Sequence, residues 1–238
     1  MLRTEAVKKV YAQKRGNVTG LDDLTLEIPE GDFVAIVGPS GCGKSTLLLT
    51  LGGMLSPTSG KVLLEEQSLY DLAPDERAKL RRKVVGFVFQ QFNLVPYLTA
   101  RENIEVPLYL AGLDPAKQTA RAGELLERVG LAERAEHKPS ELSVGQQQRV
   151  ALARTLANDP RLILADEPTG NLDPETAEEV FGFLEALNSE GRTVVLVTHD
   201  PNSAKRCKRT LKLRDGRLED GCTTTTQANS ASPGTQPL

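Results

Sequence analysis

At 238 residues, 39% hydrophobic and 26% charged, the chain is long enough to bury a proper core in one large α/β domain or two small ones. A net charge of -3 with the signs interspersed gives no electrostatic case for nucleic acid as the main ligand. Cys42, Cys207 and Cys222 form no CxxC pair and point to a reducing compartment; charges from Arg3 to Lys9 exclude a signal-peptide core, and no apolar run approaches the length of a spanning helix.

In chain order, residues 2–11 and 24–28 alternate as strands, with Pro29-Glu30-Gly31-Asp32 as the turn into the next strand. Residues 33–37 are continuously apolar, which marks a strand covered on both faces, and a glycine-rich stretch leads from them into a helix over 45–51. A short strand at 61–64, a charged helix at 74–83 and a strand at 84–89 follow. Between residues 91 and 113, Pro96 and Pro107 break the pattern, whereas 116–129 has the apolar spacing of a surface helix. A helical subdomain is expected over about 91–158. The pattern then returns to α/β: a strand at 162–165, a helix at 174–188, a strand at 193–197 and a hairpin turning at Asp215-Gly216. Residues 1–220 are expected to form a single domain, and 221–238, rich in Thr, Ser, Gly, Pro and Gln, a disordered tail.

Gly38-Pro39-Ser40-Gly41-Cys42-Gly43-Lys44-Ser45 fits G-x-x-x-x-G-K-[ST] and lies between a buried strand and a helix, where its mechanism requires it. Glycines let successive N–H groups converge on phosphate oxygens, and the following helix adds the positive end of its dipole. Lys44 is expected to reach the β and γ phosphates of ATP, and the Ser45 hydroxyl to ligate Mg²⁺. Downstream, an apolar strand ends in Asp166 and Glu167. Adjacent acids at a strand end are often only a solvated exit, but with a phosphate loop upstream they read as an Mg²⁺ partner and the base that directs water at the γ-phosphate. A third stretch, Leu142-Ser143-Val144-Gly145-Gln146, precedes a helical run over 147–158. Ser143 and Gln146 stand at capping-box spacing, and such a helix N-terminus also suits an anion.

With these motifs in order, the sequence resembles the ABC transporter ATPase family over nearly all of residues 2–220. The phosphate loop matches through Thr46, Leu142 to Gln146 matches the LSGGQ signature with Val144 for its first glycine, and Asn171-Leu172-Asp173 matches the D-loop. The fold implied is a P-loop NTPase of the ABC ATPase type, α/β, with an N-terminal antiparallel β subdomain and an inserted helical subdomain. The resemblance makes Tyr11 the aromatic that stacks on adenine, Gln90 a contact to Mg²⁺ and water, and His199 the histidine touching the γ-phosphate and attacking water. It also implies a head-to-tail homodimer, in which Ser143, Val144, Gly145, Gln146 and Asp173 complete the site of the second copy. A β-branched residue occupies a positive-φ position only at a cost. Val144 therefore either has ordinary φ, the favoured reading, or weakens closure. His137 reads as a structural or surface residue.

The segments around Gln90, the signature and Asp166 look most like the branch containing lipoprotein-releasing (LolD) and macrolide-exporter (MacB) ATPases. That implies a cytoplasmic, membrane-peripheral subunit powering a separate transmembrane permease with an extracytoplasmic domain. A cell-division (FtsE-like) cassette and a soluble, non-transport ABC ATPase are the alternatives.

Overall fold

The computed structural model describes residues 1–14, 16–170 and 172–219, and the backbone of 223–224. Its first sheet is antiparallel: β1 (Leu2–Tyr11) pairs with β2 (Val18–Ile28) and β4 (Ser59–Leu64), and β5 (Gln67–Ser68) forms the far edge. Buried Leu2 and Thr4 lie at even positions of β1, but the next buried residue is Val7. A register shift at Ala6, with φ of 48°, moves the inward face to the other parity. β2 begins well before the expected strand at 24–28, because pairing with β1 carries on past the apolar stretch through Val18 and Thr19.

The second sheet holds β3 (Phe33–Val37) between two parallel neighbours, β8 (Thr193–Val197) and β9 (Arg209–Arg214). Beyond β8 lie β7 (Leu162–Asp166) and β6 (Val85–Val88), also parallel, while β10 (Arg217–Leu218) and β11 (Thr223–Thr224) pair antiparallel with β9. Phe33, Ala35, Ile163, Ala165, Val194 and Leu196 face one core, and Val34, Ile36, Leu162, Leu164, Val195 and Val197 the other. This two-sided burial is why these strands read as unbroken apolar runs. The second core also takes Leu47, Leu48 and Leu51 of α1 (Lys44–Leu51) and the inner face of the first sheet.

On the other side pack α3 (Ala100–Leu110), α4 (Pro115–Arg128), α5 (Val144–Thr155) and α6 (Pro174–Ser189). Helix α3 occupies a stretch expected to be broken. Thr99 and Glu102 form a reciprocal capping box that starts it, and Pro107 falls in its last turn, where its missing N–H forfeits one intrahelical bond. Asn103, fully buried, fastens the preceding loop by accepting from the Val95 amide (2.8 Å) and donating to the Leu98 and Thr99 carbonyls (3.1 and 2.9 Å).

Two further helices are α2 (Pro74–Val84) and α7 (Pro201–Arg206); the latter was not expected from the sequence. Helix α5 starts at Val144 rather than 147 and ends at Thr155, so Val144, Gly145 and Gln146 form its first turn. The expected tail lies outside the described residues apart from the β11 backbone. Among the described residues no helix is long and apolar enough to cross a membrane.

Candidate active site

The C-terminal edge of the second sheet gathers the motifs, the crevice where open α/β sheets bind ligands. After β3 the loop turns through Gly38, Pro39, Ser40, Gly41 and Cys42, with Pro39 to Gly41 exposed. Gly43 has φ of 107°, and a Cβ there would lie 2.2 Å from the Gly20 carbonyl oxygen, so no other residue fits beneath β2. The hairpin between β9 and β10 supports the loop from below: the Gly216 N–H donates to the Cys42 carbonyl at 2.9 Å. Lys44, only 8% exposed, spans the loop and donates to the Gly38 and Pro39 carbonyls at 2.8 and 3.0 Å. Thr46, in the first turn of α1, lies 3.1 Å from the Tyr11 hydroxyl, oxygen to oxygen, which sets the Tyr11 ring beside the start of α1 and against Gly20.

The strand ends of β7 and β8 supply the acids and the histidine. Ser45 donates to Asp166 Oδ1 at 3.3 Å. Burial pushes the Asp166 carboxyl above its usual range, partly countered by the Ser45 hydroxyl and aided by the neighbouring Glu167 charge. Glu167 has φ of 44°, costly for a residue with a Cβ. Its N–H donates to the Val197 carbonyl (2.9 Å) and its own carbonyl accepts from Gly170 N–H (3.1 Å), so the strained residue is fastened on both sides. Oε2 of Glu167 lies 3.1 Å from Nδ1 of His199, and the ring donates when the carboxyl is ionised. Asp200, next along, caps α7 through the amides of Asn202 and Ser203 (3.0 and 2.9 Å) and thereby fixes the chain that carries His199. Gln90 is exposed; its amide nitrogen and the Glu167 carboxylate both approach Gly170, within 3.4 Å of where a Cβ would stand.

The signature residues are brought to a different place, the N-terminus of α5. Ser143 Oγ accepts from Gln146 N–H (3.2 Å) and Gln146 Oε1 from Ser143 N–H (3.0 Å), completing the capping box read from the sequence. Val144, at the first helical position and 51% exposed, has an ordinary helical φ, so the freedom of the glycine it replaces goes unused. Space is tight at Gly145: a Cβ would come 3.0 Å from Thr176 Cγ2, which would have to give way slightly. Thr176 is held by Asp173, the N-cap of α6, whose carboxylate accepts from the Thr176 N–H and hydroxyl at 3.0 and 2.6 Å and is kept below its usual range by those bonds. Asn171 lies outside the described residues. His137, half-buried, lies 2.9 Å from an Arg134 guanidinium nitrogen.

Three residues of consequence escape a motif reading: Gly216 under the phosphate loop, Gln148 and Arg154. Gln148 is visible only as a glutamine on the apolar stripe it shares with Ala151 and Leu152. Arg154 donates to the Asn93 and Phe92 carbonyls at 2.6 and 2.7 Å, tying the loop after Gln90 to the end of α5.

Residues 21–170 match the ABC transporter family. The chain is 49% identical over 224 residues to the uncharacterized ABC transporter ATP-binding protein MJ0796 of Methanocaldococcus jannaschii, covering 92% of this chain and 95% of that one. It is 46% identical over 234 residues to the macrolide export ATP-binding/permease protein MacB 1/2 of Paracoccus denitrificans, covering 98% of this chain but 35% of that one. The chain thus spans about a third of the length of the MacB relatives it matches. Its structure superposes on the dimeric post-hydrolysis state of MJ0796 bound to ADP and Pi with a TM-score of 0.88 at 44% identity, covering 96% of this chain and 100% of that one. CbiO1 of Clostridium perfringens, part of the transporter complex cbiONQ, gives 0.82 at 28% identity, covering 95% and 89%. The chain belongs to the ABC transporter family and is an ATP-binding, ATP-hydrolysing cassette.

Proposed function

We propose that this cassette works as one of two identical copies on the cytoplasmic face of a membrane, powering an export, lipoprotein-release or mechanotransmission complex through a separate permease chain with an extracytoplasmic domain. In this reading the amides of residues 38–43 and the Lys44 ammonium bind the ATP phosphates, and Tyr11 stacks on the adenine. Ser45, Asp166 and Gln90 hold Mg²⁺, for which the hard oxygens of Ser45 and Asp166 are suited. When bound, Mg²⁺ neutralises charge on the β and γ oxygens. Glu167 takes a proton from a water as its oxygen attacks the γ-phosphorus in line; the bond to the β-phosphate oxygen breaks and ADP and phosphate leave. His199 holds the Glu167 carboxylate and the γ-phosphate side of the site.

Ser143 to Gln146 and Asp173 serve the nucleotide of the second copy. The exposed N-terminus of α5 supports this, since its free amides and dipole suit a phosphate brought by another chain. Binding of the triphosphate then favours the closed pair, and hydrolysis removes the bridging charge. The observation that carries the whole reading is the Glu167–His199 contact at the sheet edge that also presents Ser45, Asp166 and the phosphate loop.

Support for a membrane partner comes from a groove of about 510 Å³ beside Gln90, lined by Met54, Phe87, Phe89, Val106 and Leu110 with Arg154 at its wall. Leu110 and Met54, 59% and 47% exposed, give this groove an apolar rim that a partner chain could cover. The MacB relatives, named ATP-binding/permease proteins, are also about three times as long as the stretch they share with this chain.

The test is Glu167→Gln. It should retain ATP affinity, lose about 100-fold or more in hydrolysis, and elute as a dimer with ATP and Mg²⁺. Hydrolysis at the normal rate would reject the base assignment, and a persistent monomer would reject closure of one copy over the other.

A further inference from the structure

We infer that Gln148 is a positioning residue for Glu167, a side-chain strut from the signature helix to the peptide that follows the catalytic carboxylate. Its side chain is completely buried, and its Nε2 donates to the Pro168 carbonyl at 2.9 Å. Its Oε1 is buried with no hydrogen-bond partner. A leucine or methionine would fill the same volume beside Ala151 and Leu152 without stranding an acceptor, so packing alone does not account for an amide here. What only the amide supplies is a donor for Pro168.

That donor acts on a strained turn. Glu167 sits at φ of 44° and is tethered at its own N–H by Val197 and at its own carbonyl by Gly170. Gln148 adds the third tether, on the next carbonyl along. Released there, the turn can relax toward negative φ, which rotates the Glu167 carboxylate away from His199 Nδ1. Gln148 also lies on the same helix as Ser143, five positions further on, while the first turn of that helix abuts Thr176 through Gly145. One rigid element therefore serves the second copy's nucleotide at its tip and this copy's base along its side. The inference rests on the proposed roles of Glu167 and of the α5 N-terminus.

The experiment is steady-state ATP hydrolysis by the full chain carrying Gln148→Leu, with Gln148→Met as a second variant able to refill the space if the first folds poorly. ATP-driven dimer formation is measured when either change is combined with Glu167→Gln. Mispositioning of the base lowers kcat about tenfold or more, leaves KM for ATP within about threefold of the parent, and leaves the trapped dimer intact. Either a kcat within about threefold of the parent for a folded variant, or a loss of kcat accompanied by raised KM and a lost dimer, overturns the inference. Glu167→Gln assayed alone separates the two failures: if it is inactive and traps the dimer while Gln148→Leu and Gln148→Met turn over normally, only the role of Gln148 falls.

Discussion

At Glu167 local preference and the proposed function pull apart; at Val144, where the sequence suggested a conflict, they do not. Glu167 takes a left-handed conformation that costs on the order of 1–3 kcal/mol, which its tethers to β8 and α5 sustain. Val144 meets no such conflict, because the position it occupies is the ordinary first residue of a helix. Val144→Gly is therefore expected to give no gain in kcat and to lower stability by up to about 1 kcal/mol, the usual cost of glycine in a helix; a large gain in turnover would show that the valine impairs closure. The site was legible in sequence where chemistry demands a fixed spacing, as in Gly38 to Ser45 or Asp166 next to Glu167. It was illegible where one side chain meets a distant backbone: nothing in the spacing of Gln148 and Pro168, or of Cys42 and Gly216, announces their contact.

Among the elements, strands buried on both faces were read almost to the residue, since β3, β7 and β8 have no solvent face to interrupt their apolar runs. Helices governed by caps were read less well. α3 was hidden by Pro107, and α7 is a single short segment whose signal is only Asp200 followed by Pro201. α7 offers a pH test. Hydrogen bonding from Ser203 holds the Asp200 carboxyl below its usual range. Its contribution is thus fully present above the unfolded value near pH 4 and is lost as pH falls through the lower folded value. Asp200→Ala should lower stability by about 1 kcal/mol at pH 7, and the gap in melting temperature from the parent should narrow as the pH is taken below about 4. A gap independent of pH would deny the carboxylate its capping role.

Taken whole, the molecule has two cores divided by one sheet, with the phosphate loop at the end of the strand between them. α5 crosses from the signature at its start to the loop after Gln90 at its end, where Arg154 holds Phe92 and Asn93. Arg154 thus joins the loop beside the groove to the helix proposed to reach the second copy. Leu110→Glu should abolish co-purification with the proposed membrane partner while leaving ATP hydrolysis by the cassette within about twofold, as for a surface change remote from the proposed catalytic groups. Loss of hydrolysis with binding retained would place the groove in the catalytic unit instead.

The order of the large sheet bears on how the protein is made. β3 is synthesised early, yet both its neighbours, β8 and β9, and the Gly216 amide beneath the loop follow only after α2 to α6. The phosphate loop has no floor until then. Chains truncated before residue 209 should fail to retain ATP, and the capacity should appear once the β9-β10 hairpin is included.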